Sequence, residues 1–348
     1  MWRRHDSQKI SPPTESSEPT NDFRIPGLPH HQHSATQRNR TSLSSDLEPL
    51  LKNLPPKTKG ALLQAINACG TKLNMGPDWV QRWLSFTIVA DALASYAPSG
   101  TPVFEFKGGA AIEMRMRRLI PAGAPAADTA PTITPRATKD LDATFRGEMK
   151  DLVSAVEAAL GEPRHGFSFR TEVETPDAPH MVRFRVRVSY LVKGVGGLAP
   201  QELNSVKLEV SRYEGTHYPP DMVPAFSLEP FGIEGPEYLP CMALPKQIAQ
   251  KLHAVTEVLD DGKENDRFRD LVDIVMLSVL VPPSAELRAV CEETFHIRGK
   301  HGWPPNIVTY PDWVEPMEQR AEEMGLDQKT AEEIVLYVRD YVQVIAIA

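Results

Sequence analysis

The sequence predicts an α/β (α+β) chain: a mixed β-sheet flanked by helices, followed by a mostly helical C-terminal region. Three observations carry this expectation. Residues Met181 to Leu191 alternate strictly, with Val182, Phe184, Val186 and Val188 on one face and Arg183, Arg185 and Arg187 on the other, which is the period of a half-buried strand. Residues Ser205 to Ser211 repeat the pattern, with Val206, Leu208 and Val210 opposed to Lys207 and Glu209. Helical stripes precede and follow these strands, as in Ile248, Leu252, Val255 and Leu259.

In chain order, residues 1 to 45 are rich in Ser, Pro, Thr, His and Asn with few large apolar side chains, the composition of a disordered tail. His30, His31 and His33 read as part of that polar tail. Residues 46 to 100 form a helical N-terminal segment. Leu47, Leu50 and Leu51 supply one stripe and Leu62, Leu63 and Ile66 a second, before a helix from Trp79 to Ala97. Residues 101 to 240 are expected to hold the chemistry, and residues 241 to 348 to form a helical domain. Within the latter, helices open near Pro245 and Arg267, and Pro282-Pro283 ends the second. Gly232 to Leu239 reads as a turn-rich connector.

The 348 residues carry a formal charge of -8 with 41% hydrophobic residues, enough for one large domain or two modest ones. Net acidity argues against broad, non-specific nucleic-acid binding but not against a local basic patch. Cys69, Cys241 and Cys291 are far apart and form no C-x-x-C, so a disulfide framework is not expected and a reducing, cytoplasmic setting is. No signal peptide is evident at the start, and no apolar run is long enough to span a membrane.

The chemistry concentrates between Val103 and Arg146. The strand V-F-E-F runs into Lys107, Gly108 and Gly109 and then into a helix. Glycines at a helix start let backbone N–H groups approach an anion. After the proline-rich residues 120 to 137, R-A-T-K-D-L-D places Asp140 and Asp142 two apart on a strand, hence on one face. Carboxylates sharing a face repel unless a cation sits between them, and Mg2+ or Mn2+ is suited to oxygen ligands. Glu209 could approach the pair from a neighbouring strand. The glycine pair is neither a P-loop nor G-x-G-x-x-G, because the only nearby lysine precedes it.

Other features carry two readings each. Arg115, Arg117 and Arg118 end a helix, where the dipole favours them or where they could contact phosphate. Arg183, Arg185 and Arg187 could bind RNA or pair with acids across the sheet. Asp270 and Asp273 share a helix face, with Arg269 placed for an intrahelical pair. His296 and His301 lack further clustered ligands for zinc.

The segments F-K-G-G-A-A-I, R-A-T-K-D-L-D, V-K-L-E-V-S, and K-Q-I-A-Q-K-L-H-A with R-F-R-D-L-V-D-I occur in an order that resembles the AbiEii/AbiGii nucleotidyltransferase family, within the DNA polymerase β-like superfamily. The resemblance spans about Val103 to Leu280. It implies a nucleotidyltransferase-like fold and a toxin that moves a nucleotide from a nucleoside triphosphate to an acceptor such as a tRNA end, opposed by a cognate antitoxin. It implies that Asp140, Asp142 and Glu209 hold Mg2+ or Mn2+. Lys107, Gly108, Gly109 and Lys251 would bind the nucleotide, and Asp270, with Asp273 beside it, would fill the last acidic position. Ala110 stands where the family commonly has serine or threonine. A catalytically silent nucleotide- or RNA-binding relative is the alternative.

Overall fold

The computed structural model describes residues 55–117, 138–174, 181–259 and 265–348. The expectations for the N-terminal tail, the leucine stripe at 47–51, Arg118 and the 120–137 loop lie outside them, as does the side chain of Arg117.

Two helices lead: α1 (Lys59–Leu73) and α2 (Pro77–Ala94). The Thr58 hydroxyl accepts from the Ala61 N–H to start α1, and Asn74 closes it in the left-handed conformation. Pro77 at the first turn starts α2. Strand β1 (Phe104–Lys107) passes directly into α3 (Gly108–Arg117). Then come β2 (Asp140–Phe145), α4 (Leu152–Leu160), β3 (Phe167–Glu174), β4 (Met181–Gly194) and β5 (Gly197–Arg212).

Strands β6 (Asp221–Pro224) and β7 (Tyr238–Cys241) complete the sheet. Part of the expected 232–239 connector is therefore strand. Both strands are four residues long and contain proline, so no alternation announces them; pairing with each other and with β1 makes them strands. The order is β3-β4-β5-β2-β1-β7-β6. The β2/β5 and β1/β7 pairs are parallel and the others antiparallel, so the sheet is mixed.

Alternation divides the sheet into an apolar and a polar face. Phe104, Phe106, Leu141, Ala143, Phe145, Val206, Leu208 and Val210 are buried on one side, in a core shared with Leu62 and Ile66 of α1 and Trp83, Leu84 and Ile88 of α2. A register shift beside Val188 and Ser189 inserts Leu203 as an extra residue on β5, which lets both Leu203 and Val206 reach the buried side.

The C-terminal helices are α5 (Leu244–Thr256), α6 (Phe268–Ser278), α7 (Ala285–Arg298), α8 (Val314–Glu323) and α9 (Ala331–Ile347). They gather a second core around Ile248, Leu252, Leu271, Ile274, Phe295 and Tyr341. Helix α3 serves both cores: Ala110, Ala111 and Met114 pack toward the sheet, Ile112 and Met116 toward the helices. No described helix is long and apolar enough to cross a membrane.

Candidate active site

The polar sheet face carries Lys107, Asp140, Asp142 and Glu209, while Gly108 and Gly109 open α3, Lys251 is on α5 and Asp270 on α6. In the parallel β2/β5 pair, Asp142 is directly opposite Glu209 and Asp140 directly opposite Lys207. In the antiparallel β1/β2 pair, Lys107 is opposite Asp142. Asp140, Asp142 and Glu209 therefore leave the same face of two adjacent strands, which lie about 4.8 Å apart.

The turn from β1 into α3 is built around Asp142. Gly108 has φ +64, and a Cβ added there would stand 2.8 Å from Asp142 Cγ and nearer still to its Oδ2. Only glycine lets the backbone approach this carboxylate while taking the left-handed conformation. Gln247 Nε2, from α5, donates to the Gly108 carbonyl at 3.1 Å and holds the turn from the opposite side. Ala110 is fully buried and its methyl joins the sheet-side core.

The electrostatics are those of a crowded anionic site. Burial pushes the Asp142 carboxyl up to about 6; Lys107 opposes this, Glu209 and Asp140 reinforce it, and Lys251 opposes it. Lys107 is held below its ordinary value by burial, against the pull of Asp142; Arg298, Glu214 and Arg267 also act on it. Its Nζ donates to Ser211 Oγ at 2.7 Å. Charged groups of α5, the start of α6 and the end of α7 thus act on Asp142 and Lys107 from the helical side.

Among the described residues, no three His, Cys, Asp or Glu side chains stand ready to hold a metal ion. Glu209 Oε1 accepts from Arg183 Nε at 2.9 Å and is 3.2 Å from Lys207 Nζ, which is 3.6 Å from Asp140 Oδ2. The donor set nonetheless fits a hard divalent cation. It consists of three carboxylates on one face, of which Asp142 is held up by burial and by its two acidic neighbours.

Lys251 faces two acids of α6. Its ammonium is buried, 2.6 Å from Asp270 Oδ1 and 2.7 Å from Asp273 Oδ2. Arg267 Nε adds a bond to Asp270 Oδ2 at 2.7 Å. Lys246 is likewise buried, bonded to the Glu214 carbonyl and to Glu293. Arg269 stacks over the Phe268 ring.

Two arginine groups with open readings pair within the chain. Arg115 is buried and structural: it donates to Gln247 Oε1 at 2.9 Å, to the Met242 carbonyl at 2.7 Å and to Asp221 Oδ2 at 2.8 Å. The β4 arginines are neutralised by acids on adjacent strands: Arg183 by Glu209, Arg185 by Glu174, and Arg187 by Glu172 and Glu202. Pairing across the sheet, the other of the two readings, is therefore what the β4 arginines adopt. His301 packs against His253 and Phe295 and bonds to Thr256.

Sequence reasoning missed Arg267 and Arg298. Arg298 ends α7 inside H-I-R-G-K-H, weighed only for its histidines, and its guanidinium bonds Glu214 Oε2 at 2.9 and 3.0 Å. No local signal ties it to Lys107, because the two are far apart in the chain.

A glycine-led helix springing from a strand of the sheet, beside carboxylates on the next strand and the one beyond it, is a framework for moving nucleotidyl groups. The chain matches the family model described as nucleotidyl transferase AbiEii toxin, type IV TA system, over residues 91–342, and it belongs to that family. It is a nucleotidyltransferase of the toxin–antitoxin class. Comparison with curated protein sequences gives no match. Among solved structures, it is similar to MenT4, a nucleotidyltransferase toxin of Mycobacterium tuberculosis H37Rv. The identity is 16%, the TM-score 0.44, and the match covers 83% of this chain and 98% of that one. It is also similar to JHP933 of Helicobacter pylori, at 15% identity and TM-score 0.35, covering 77% of this chain and 90% of that one.

Proposed function

We propose that the chain transfers a nucleotidyl group from a nucleoside triphosphate to a hydroxyl at a tRNA end, with Mg2+ or Mn2+. The observation that supports this reading best is the register of β2 and β5, which sets Asp142 opposite Glu209 beside the Gly108 turn. Asp140, Asp142 and Glu209 would hold the metal. Bound there, it would lower the acceptor hydroxyl's pKa and neutralise charge that builds on the triphosphate.

The chain's own residues do the positioning. The N–H groups at the start of α3 face the triphosphate, where the helix dipole favours an anion. Lys107 supplies positive charge on the same side, and Arg267 and Arg298, each held by an acid, are near enough to act on it. Lys251 lies within electrostatic reach of Asp142, with its charge offset by Asp270 and Asp273, which fix it in place. The acceptor oxygen bonds to the α-phosphorus as the bond to the bridging oxygen breaks, and pyrophosphate leaves. Such a reaction depends on placement and charge stabilisation more than on a covalent catalyst. Residues 101–240 would form the catalytic unit and residues 241–348 a helical unit that completes the triphosphate side. In the cell, a cognate antitoxin would oppose the activity in the cytoplasm.

The test is incubation with α-labelled nucleoside triphosphates, Mg2+ or Mn2+, and total tRNA. Label is expected on RNA and is lost with EDTA. Asp142→Asn should lower the rate by about two decades or more, as removal of transition-state electrostatics does elsewhere. Label on protein or a small molecule instead of RNA would overturn the acceptor assignment. No label on anything would overturn the transfer reaction.

A further inference from the structure

Lys207 stands out because its place on the sheet coincides with the one a bridging cation needs. It lies opposite Asp140 in register and two residues before Glu209 on its own strand, so all three side chains leave the same face. Its ammonium is 3.6 Å from Asp140 Oδ2 and 3.2 Å from Glu209 Oε1, the two outer carboxylates of the group. The Lys207 side chain is 41% exposed and that of Asp140 38%, so the contact is open to solvent and contributes little to stability. A half-exposed lysine between two acids does not serve the core.

We propose that Lys207 is a built-in counter-ion that holds the carboxylates together in the metal-free protein and is displaced when a divalent cation enters. The inference rests on the metal reading given above and adds to it a resident competitor. A flexible four-carbon stem lets the ammonium swing aside without any change in the strand. Displacement has a consequence for affinity. A doubly charged ion entering within about 5 Å of the ammonium is repelled, and even at the dielectric constant of water this weakens binding by about tenfold. Lys207 thus keeps the site from filling at low metal concentration. Once displaced, the ammonium is free to meet the phosphates of an incoming triphosphate, which carries charge of the opposite sign.

Arg185 provides an internal comparison. It is opposite Lys207 on the next strand but bonds Glu174, away from the three carboxylates. Removing it lowers the charge of the same face without vacating the bridging position.

The experiment measures Mn2+ binding by electron paramagnetic resonance on the full chain, with and without an α,β-methylene nucleoside triphosphate. The wild type is compared with Lys207→Met, Lys207→Arg, Arg185→Met and Asp142→Asn, and the melting temperature of each is recorded in EDTA and in Mn2+. Lys207→Met should bind Mn2+ about tenfold more tightly than wild type without the triphosphate and should gain more in melting temperature when Mn2+ is added. Lys207→Arg keeps the charge and should stay close to wild type. Arg185→Met should change little. Equal affinities for wild type and Lys207→Met, with binding still lost in Asp142→Asn, would overturn the displacement and leave the metal reading standing. Equal tightening by Arg185→Met would also overturn it, by showing that net charge and not the bridging position is responsible. Absence of Mn2+ binding in every form, with the triphosphate present, would overturn the metal reading and this inference with it.

Discussion

Replacing Gly108 by alanine tests whether the approach of α3 to Asp142 matters for the chemistry. Two penalties arise at this position. A non-glycine residue at φ +64 carries about 1–2 kcal/mol of backbone strain. The new Cβ would also stand 2.8 Å from Asp142 Cγ and closer to Oδ2, well inside contact distance, so the carboxylate must move. Misplacing a reacting or ligating group by about 1 Å costs on the order of a hundredfold in rate. Gly100 separates the two effects: its φ is +80 but nothing lies within 4 Å of an added Cβ. Gly100→Ala should therefore lower the melting temperature by a few degrees, about what 1–2 kcal/mol produces in a chain of this size, while leaving nucleotidyl transfer intact. Gly108→Ala should lower the melting temperature at least as much and reduce transfer of α-labelled nucleotide by about a hundredfold. Transfer at the wild-type rate in a folded Gly108→Ala protein would refute the argument that Asp142 must stay where glycine allows it.

Two further outcomes follow from buried groups. Lys251→Met leaves Asp270 and Asp273 buried without their ammonium, and breaking such a group should destabilise the fold by about 3–5 kcal/mol; a urea midpoint equal to wild type would contradict the pairing. His253 is held down to about 4 by burial, with Arg298 and His301 adding to the effect. Between pH 6.5 and 4 the unfolded chain therefore takes up a proton that the folded one refuses, and stability falls as pH falls through that window. His253→Gln should flatten the fall in urea midpoint over this range, and an unchanged slope would count against the burial of a neutral ring.

Much of the sheet is legible in the chain. Alternation in β4 and β5 marks which side each residue takes, because side-chain direction in a strand has a period of two. The D-x-D spacing places both aspartates on one face for the same reason. The strands β6 and β7 are not legible: Pro224 and Pro240 sit inside four-residue segments whose strand character comes from partners elsewhere.

The sequence by itself determined the fold class, the polar and apolar faces of the strands, and the family, since each rests on local periodicity or on short motifs in order. Only the tertiary structure decided which residues meet. The register that sets Asp142 against Glu209 joins strands separated by α4, β3 and β4, and a shift of one residue would have turned Glu209 to the other face. The fate of the cations was decided in the same way. Lys246, Lys251 and Arg115 are charged residues on helices, yet they are buried, with Glu293, Asp270, Asp273 and Asp221 arriving from distant segments to pair with them. A buried charge is tolerated only with such partners, and the partners come from chain folding, which no local pattern records.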